Sequence, residues 1–224
     1  MLKLLAEMGT KRMIKDIWQA GLIEGAVLCG EYGFPMLTSS EIIPTSLIQF
    51  SDRKTTNHGN SFVHFYENDE KFICFWNRPS SYINQIKGCA GGITPDFSIY
   101  DDMPRALQIQ SKYNNHALGY YMRKQGVPII PNVRWGNRET YDFCFDGFEQ
   151  NSVVAIGSHG LSKKVEYKKL FLEGFIEMRK RLNPKKIIIY GAYSEKLLPK
   201  LFTQGVEIIN FPSRTKEVFE ERVK

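Results

Sequence analysis

GGITPDFSIYDDMP, residues 91–104, decides the fold. An apolar run ends in Pro95, Asp96 and Ser98, two more aspartates follow, and then Ala106, Leu107, Tyr113, Ala117, Tyr120 and Tyr121 recur at helical spacing until Gly126. A β-run leading into a helix in this way is one βα unit. Pro104 is tolerated in a first helical turn, and Asp101 or Asp102 is expected to cap the helix.

The same alternation extends in both directions. Short β-rich runs at 93–98, 128–135, 153–158, 186–190 and 206–211 are separated by helical patterns, the signature of βα units building a parallel sheet. After Ser162, the residues Leu170, Phe171, Gly174, Phe175, Met178 and Leu182 make one apolar stripe, and Asn183-Pro184 ends it. A shorter helix is expected behind Ser194, confined by Pro199 and stopped at Gly205. YDFCFDGF, residues 141–148, is long enough for only a turn or two. Upstream, 46–50 and 62–66 read as strands, 26–29 as a weak further one, and Phe72, Phe75 and Trp76 as a short helix behind Asp69. Eight strands, mostly followed by helices, predict an α/β chain with a compact (β/α) barrel-like fold of parallel strands and covering helices, and an open doubly wound α/β sheet is the alternative. Residues 1–224 read as a single α/β domain, most regular over 93–211, with no linker or repeat.

Composition narrows the classes. With 42% hydrophobic residues in 224, a sizeable core is expected. Cys29, Cys74, Cys89 and Cys144 lie far apart without a C-x-x-C pair, and the four histidines show no ligand spacing, so no structural zinc is expected. Glu7, Lys11, Arg12, Lys15 and Asp16 interrupt the apolar residues of the N-terminus, and no run reaches membrane-spanning length; the chain reads as cytoplasmic, with no membrane partner. A net charge of +6 favours acidic partners such as a nucleotide or nucleic acid. Much of that excess, Lys163, Lys164, Lys168, Lys169, Arg179, Lys180, Arg181, Lys185 and Lys186, reads as the solvated face of a helix.

Ligands collect at the carboxyl ends of parallel strands, so the polar residues there form the candidate site: Asp96 and Ser98, Asn132 with Arg134 and Trp135, Ser158 with His159, and Tyr190 with Gly191. Asp96 is the candidate general base, against the plainer role of a helix cap. Arg134 offers a planar fork for phosphate or carboxylate and Trp135 a ring on which a base can stack; the competing reading has Trp135 in the core and Arg134 paired with Asp142 or Asp146. Asn132 and Arg134 share a strand face, and Val133 and Trp135 are expected to face the other way or, at the strand end, to wrap over the rim. Asp142 and Asp146, four residues apart, could join Asp96 to hold Mg²⁺, which takes oxygen ligands and suits a phosphodiesterase or nuclease. Gly157 and Gly160 around Ser158-His159 suggest a phosphate-accommodating turn, since the G-x-S-x-G frame of a nucleophile elbow is missing. His64, on a strand, is expected to be a satisfied hydrogen-bonder. IIIYGAYSE, residues 187–195, lacks both G-x-G-x-x-G and a Walker lysine, which argues against dinucleotide and P-loop ATP binding.

TPDFSIYDDMP (94–104), GVPIIPNVRWG (126–136), FCFDG (143–147) and IIIYG (187–191), in this order and spacing, together with FVHFYENDEKFICFW (62–76), resemble a family of bacterial proteins common in phages and other mobile elements and known only as a domain of unknown function. The similarity covers roughly residues 40–211. It implies membership and carries no activity, so the residue roles stay those that chemistry suggests. The expectation is a mobile-element or phage-related enzyme acting on a phosphate-bearing substrate, with Asp96 and Arg134 central. The alternative is a non-catalytic module that binds a nucleotide, nucleic acid or host protein, and a sugar-acting enzyme would need a carboxylate pair across the barrel mouth.

Overall fold

The structure, a computed structural model, describes residues 16, 18–53, 59–158 and 165–214. A hairpin of β1 (Leu28–Cys29) and β2 (Phe34–Pro35) comes first, then β3 (Ser46–Gln49), β4 (Ser61–His64), α1 (Ile73–Asn77), α2 (Pro79–Ile86), β5 (Gly91–Ile93), α3 (Arg105–Lys124) and β6 (Ile129–Ile130). The chain continues through α4 (Tyr141–Cys144), β7 (Val153–Gly157), α5 (Val165–Leu182), β8 (Lys186–Tyr190), α6 (Lys200–Thr203) and β9 (Glu207–Phe211). The predicted strand at 26–29 is one arm of the antiparallel hairpin and takes no part in the parallel sheet. Gly30 and Gly33, at φ 71° and 68°, supply the left-handed turn that folds it back.

The parallel strands run in sequence order. β3 to β6 form one ladder and β7 to β9 another, and the two are joined where Asn132 bridges Ala155, with Val133 N donating to Ala155 O and Ala155 N to Pro131 O, both at 2.8 Å. The connecting helices α2, α3 and α5 pack on one face of these strands. That face is the larger core: Ile83 and Ile86 of α2, Leu118 and Met122 of α3, and Phe171, Phe175 and Met178 of α5 pack on Val63, Ile129, Val154, Ile156, Ile187 and Ile189. The alternate residues, Phe62, Ile93, Ile130, Val153, Ala155, Ile188 and Tyr190, form a second cluster that Leu47, Ile209 and Phe211 join and to which no helix among the described residues contributes. Side chains of the strands pack on one another across this face, as in a curled parallel sheet. No ladder joins β3 to β9 among the described residues. Arg214, just past β9, reaches Gln49 Oε1 at 3.0 Å and pairs with Asp52, so side chains span a seam that remains open as in an open α/β sheet. No helix among the described residues is long and apolar enough to cross a membrane.

The β6–β7 connection has a 3₁₀ turn (Arg138–Thr140) and the single turn of α4 in place of a full helix, and the N-terminal hairpin supplies the missing cover. Leu37 bridges Phe148, and β2 packs on α3. Two buried bases hold this corner. His116 Nδ1 lies 2.8 Å from Pro35 O; a carbonyl can only accept, so Nδ1 carries the proton and Nε2 turns its lone pair to Lys112 Nζ at 2.5 Å. Lys112 also donates to Cys144 O at 3.0 Å and lies 3.8 Å over the Phe148 ring. Burial pushes its amine down to about 7.

Candidate functional site

Past β5 and β6 the two chains stay side by side, because Thr94 N donates to Ile130 O and Asn132 N to Thr94 Oγ1. Strand alternation then sends Asn132 and Arg134 to one side, where both meet Asp96, and Val133 and Trp135 to the other, where both join the helix-covered core. Arg134 pairs with Asp96 rather than with Asp142 or Asp146. Trp135 stacks on Phe171 of α5 at 5.4 Å, and the pyrrole side of its indole lies against Gly174, where a Cβ would overlap Nε1. Gly174→Ala is therefore expected to destabilise by about 1–3 kcal/mol through overpacking, outweighing the roughly 1 kcal/mol that alanine gains in a helix. Urea midpoints check this, and an unchanged midpoint would mean that the indole moves aside.

Asp96 is buried and fully engaged. Asn132 Nδ2 donates to its Oδ1 and Arg134 Nη1 to its Oδ2, both at 2.7 Å. Burial raises its pKa, Arg134 and Asn132 oppose the rise, and Asp69 adds to it. Asp69 in turn accepts from both Ser98 N and Ser98 Oγ at 3.1 Å, so Ser98 anchors the turn before α1 to the end of β5. The Arg134 side chain, 31% exposed, forms part of the wall of a cleft of ≈ 550 Å³ between the loops after β5 and β6 and the start of α5. Tyr100, Asp101, Asp102, Trp135, Gly157 and Tyr167 share that wall, while Asp96 stands behind Arg134 and is no part of it.

The remaining predicted residues lie elsewhere. Ser158 is buried and spends its hydroxyl on Ala192 O at 2.6 Å, tying the end of β7 to the turn after β8. Tyr190 is buried on the second, helix-free face of the strands, and Gly191 N bonds Phe211 O. His159 and Gly160 lie outside the described residues, as do Lys163 and Lys164. Asp142 pairs with Arg105, and Asp146 packs against Gly30 with Lys112 near it. The three carboxylates considered for Mg²⁺ are thus not gathered, and among the described residues no three His, Cys, Asp or Glu side chains are grouped as a metal ion would need. Asp101 and Asp102 do not cap α3, whose N-cap is Pro104. Lys168 and Lys169 are exposed as expected, whereas Arg179 is held by Phe202 O and Gln204 O, Arg181 by Glu177 and Lys186 by Glu207.

Sequence reasoning missed Tyr100 and Tyr167, exposed rings of the wall, and Tyr66 and Asp69 behind it. Tyr66 OH donates to Asn132 Oδ1 at 2.9 Å.

Residues 27–212 match the family described as a domain of unknown function, DUF4417. Over 163 residues the chain is 31% identical to the Gene 1 protein of Mycobacterium phage L5, an alignment covering 71% of each. It is 30% identical over 163 residues to the Gene 1 protein of Mycobacterium phage D29, covering 71% of this chain and 60% of that one. No solved structure matches. The matched span takes in both ladders of the sheet and the whole Arg134 cleft, and the chain therefore belongs to the DUF4417 family, with relatives among the Gene 1 proteins of mycobacteriophages.

Proposed function

We propose that the cleft beside Arg134 binds a phosphate-bearing aromatic ligand, a nucleotide or an exposed nucleotide of a nucleic acid. The observation that carries this reading is Arg134 itself: one nitrogen is fixed from behind by Asp96 while the side chain still forms the cleft wall. A guanidinium held in this way is a pre-oriented fork for an oxyanion. Tyr100 and Tyr167, both exposed, provide ring surfaces suited to stacking a base. Asp101 and Asp102 accept hydrogen bonds and repel phosphate, so they favour a ligand whose base presents an amino group, as adenine, cytosine and guanine do. Asp96, engaged twice and set behind the wall, supports binding as the primary act of the site and orients Arg134 rather than reacting.

Titration with AMP, UMP and inorganic phosphate, read by tryptophan fluorescence, tests the reading. AMP is expected to bind more tightly than UMP. Arg134→Lys keeps the charge and loses the fork, and is expected to weaken AMP binding by about 1–3 kcal/mol with the fold intact. AMP affinity indifferent to Arg134→Lys would remove the cleft from consideration.

A further inference from the structure

We infer that Tyr66 is a positioning residue for the Arg134 cleft, acting through a buried hydrogen-bond chain. The inference rests on the reading of the cleft as an Arg134 site. Tyr66 lies two residues past β4 and is 6% exposed. Its ring is parallel to that of Tyr190 at 5.1 Å, and its backbone N donates to His64 Nδ1 at 3.2 Å, so ring and main chain are both held.

Each link of the chain allows one sense only. Burial holds the Tyr66 phenol far above its usual range, which keeps it a donor at neutral pH. It donates to Asn132 Oδ1 at 2.9 Å, and this turns Asn132 Nδ2 to the opposite side, toward Asp96 Oδ1 at 2.7 Å and Pro95 O at 3.4 Å. The reversed amide would set Asn132 Oδ1 against the Asp96 carboxylate, two acceptors face to face. With Oδ1 taken, Asp96 presents Oδ2 to Arg134 Nη1 at 2.7 Å, and Arg134 carries the result to the cleft wall. Gly157 completes the coupling, since it belongs to that wall and a Cβ there would come within 2.8 Å of Tyr66 Cδ1. Tyr66 itself is no part of the wall, so any effect it has on a ligand passes through these partners.

Tyr66→Phe keeps the ring and deletes the donor. In AMP titrations of the full chain it is expected to weaken binding about three- to tenfold, the worth of one buried hydrogen bond. Because Tyr66 acts through Arg134, the same substitution in an Arg134→Lys background is expected to cost nothing further. An unchanged affinity in Tyr66→Phe, or full additivity in the double variant, overturns the inference and leaves Arg134 in place. A null Arg134→Lys overturns the reading of the cleft instead. A ligand-free measurement stands apart from both: the ¹⁵N-detected guanidinium signals of Arg134 are expected to shift or broaden in Tyr66→Phe, and unaltered signals would overturn the inference whatever AMP does.

Discussion

Acidification from pH 6.5 to pH 3 is expected to cost the folded protein about 5 kcal/mol through His64 alone. Burial lowers this imidazole from 6.5 to about 3. It lies beside the stacked rings of Tyr66 and Tyr190, centroids 5.6 and 4.3 Å away, and its Nδ1 accepts the Tyr66 amide, so the neutral Nε2–H tautomer is the one that fits. In the unfolded chain the same imidazole takes a proton near its ordinary value. Between the two the unfolded state binds more protons, so stability rises with pH and is lost on the way down, at roughly 1.4 kcal/mol per pH unit. His64→Asn preserves an acceptor near the Nδ1 position and cannot titrate in this range. Urea unfolding from pH 7 to pH 4 is expected to give a curve for His64→Asn that is flatter than wild type by that slope. Equal slopes would mean that His64 is protonated without unfolding.

The parts of the fold legible in the sequence are those where local and tertiary signals agree. Lys186–Tyr190 is buried almost throughout, and a strand with both faces covered has to read as an unbroken apolar run. The stripe of α5 likewise matches the face that it buries. β6 shrinks from the expected 128–135 to Ile129–Ile130 because Pro128 and Pro131 have no N–H to give a ladder. β5 contains Gly91 and Gly92, poor strand formers whose missing side chains leave room for Phe62 and Met122. The helix α2 was readable and unread: Pro79 stands at its first turn and Ile83 and Ile86 are three apart.

The site was legible to the same degree and for the same reason. Alternation along 132–135 was enough to separate Asn132 and Arg134 from Val133 and Trp135. Which polar strand ends face a common cleft depends on where the following loops go, and no local rule places Tyr100 and Tyr167 opposite Arg134. Tyr66 and Asn132 are 66 residues apart in sequence, and their bond exists only because β4 and β6 flank β5.

Asp96→Ala is the substitution expected to damage the fold most at this site, by about 3 kcal/mol. Removing one member of a buried ion pair leaves its partner desolvated without compensation, which costs about 3–5 kcal/mol. The lower end applies because Arg134 retains 31% side-chain exposure and so keeps some of its hydration. Asn132 Nδ2 is simultaneously reduced to its 3.4 Å contact with Pro95 O. For a chain of this size, 3 kcal/mol corresponds to a fall in melting temperature of roughly 6–12 °C. An Asp96 acting only as a reacting group at an exposed strand end would lose activity with little change in stability, so the melting temperature separates the two roles. The double variant Asp96→Ala with Arg134→Met is the sharper comparison, because it removes the charge left behind. It is expected to regain a substantial part of the lost stability while failing to bind AMP. If the double variant melts no higher than Asp96→Ala alone, the cost lies in the cavity and the broken Asn132 contact, and the ion pair is not what holds the end of β5 to the end of β6.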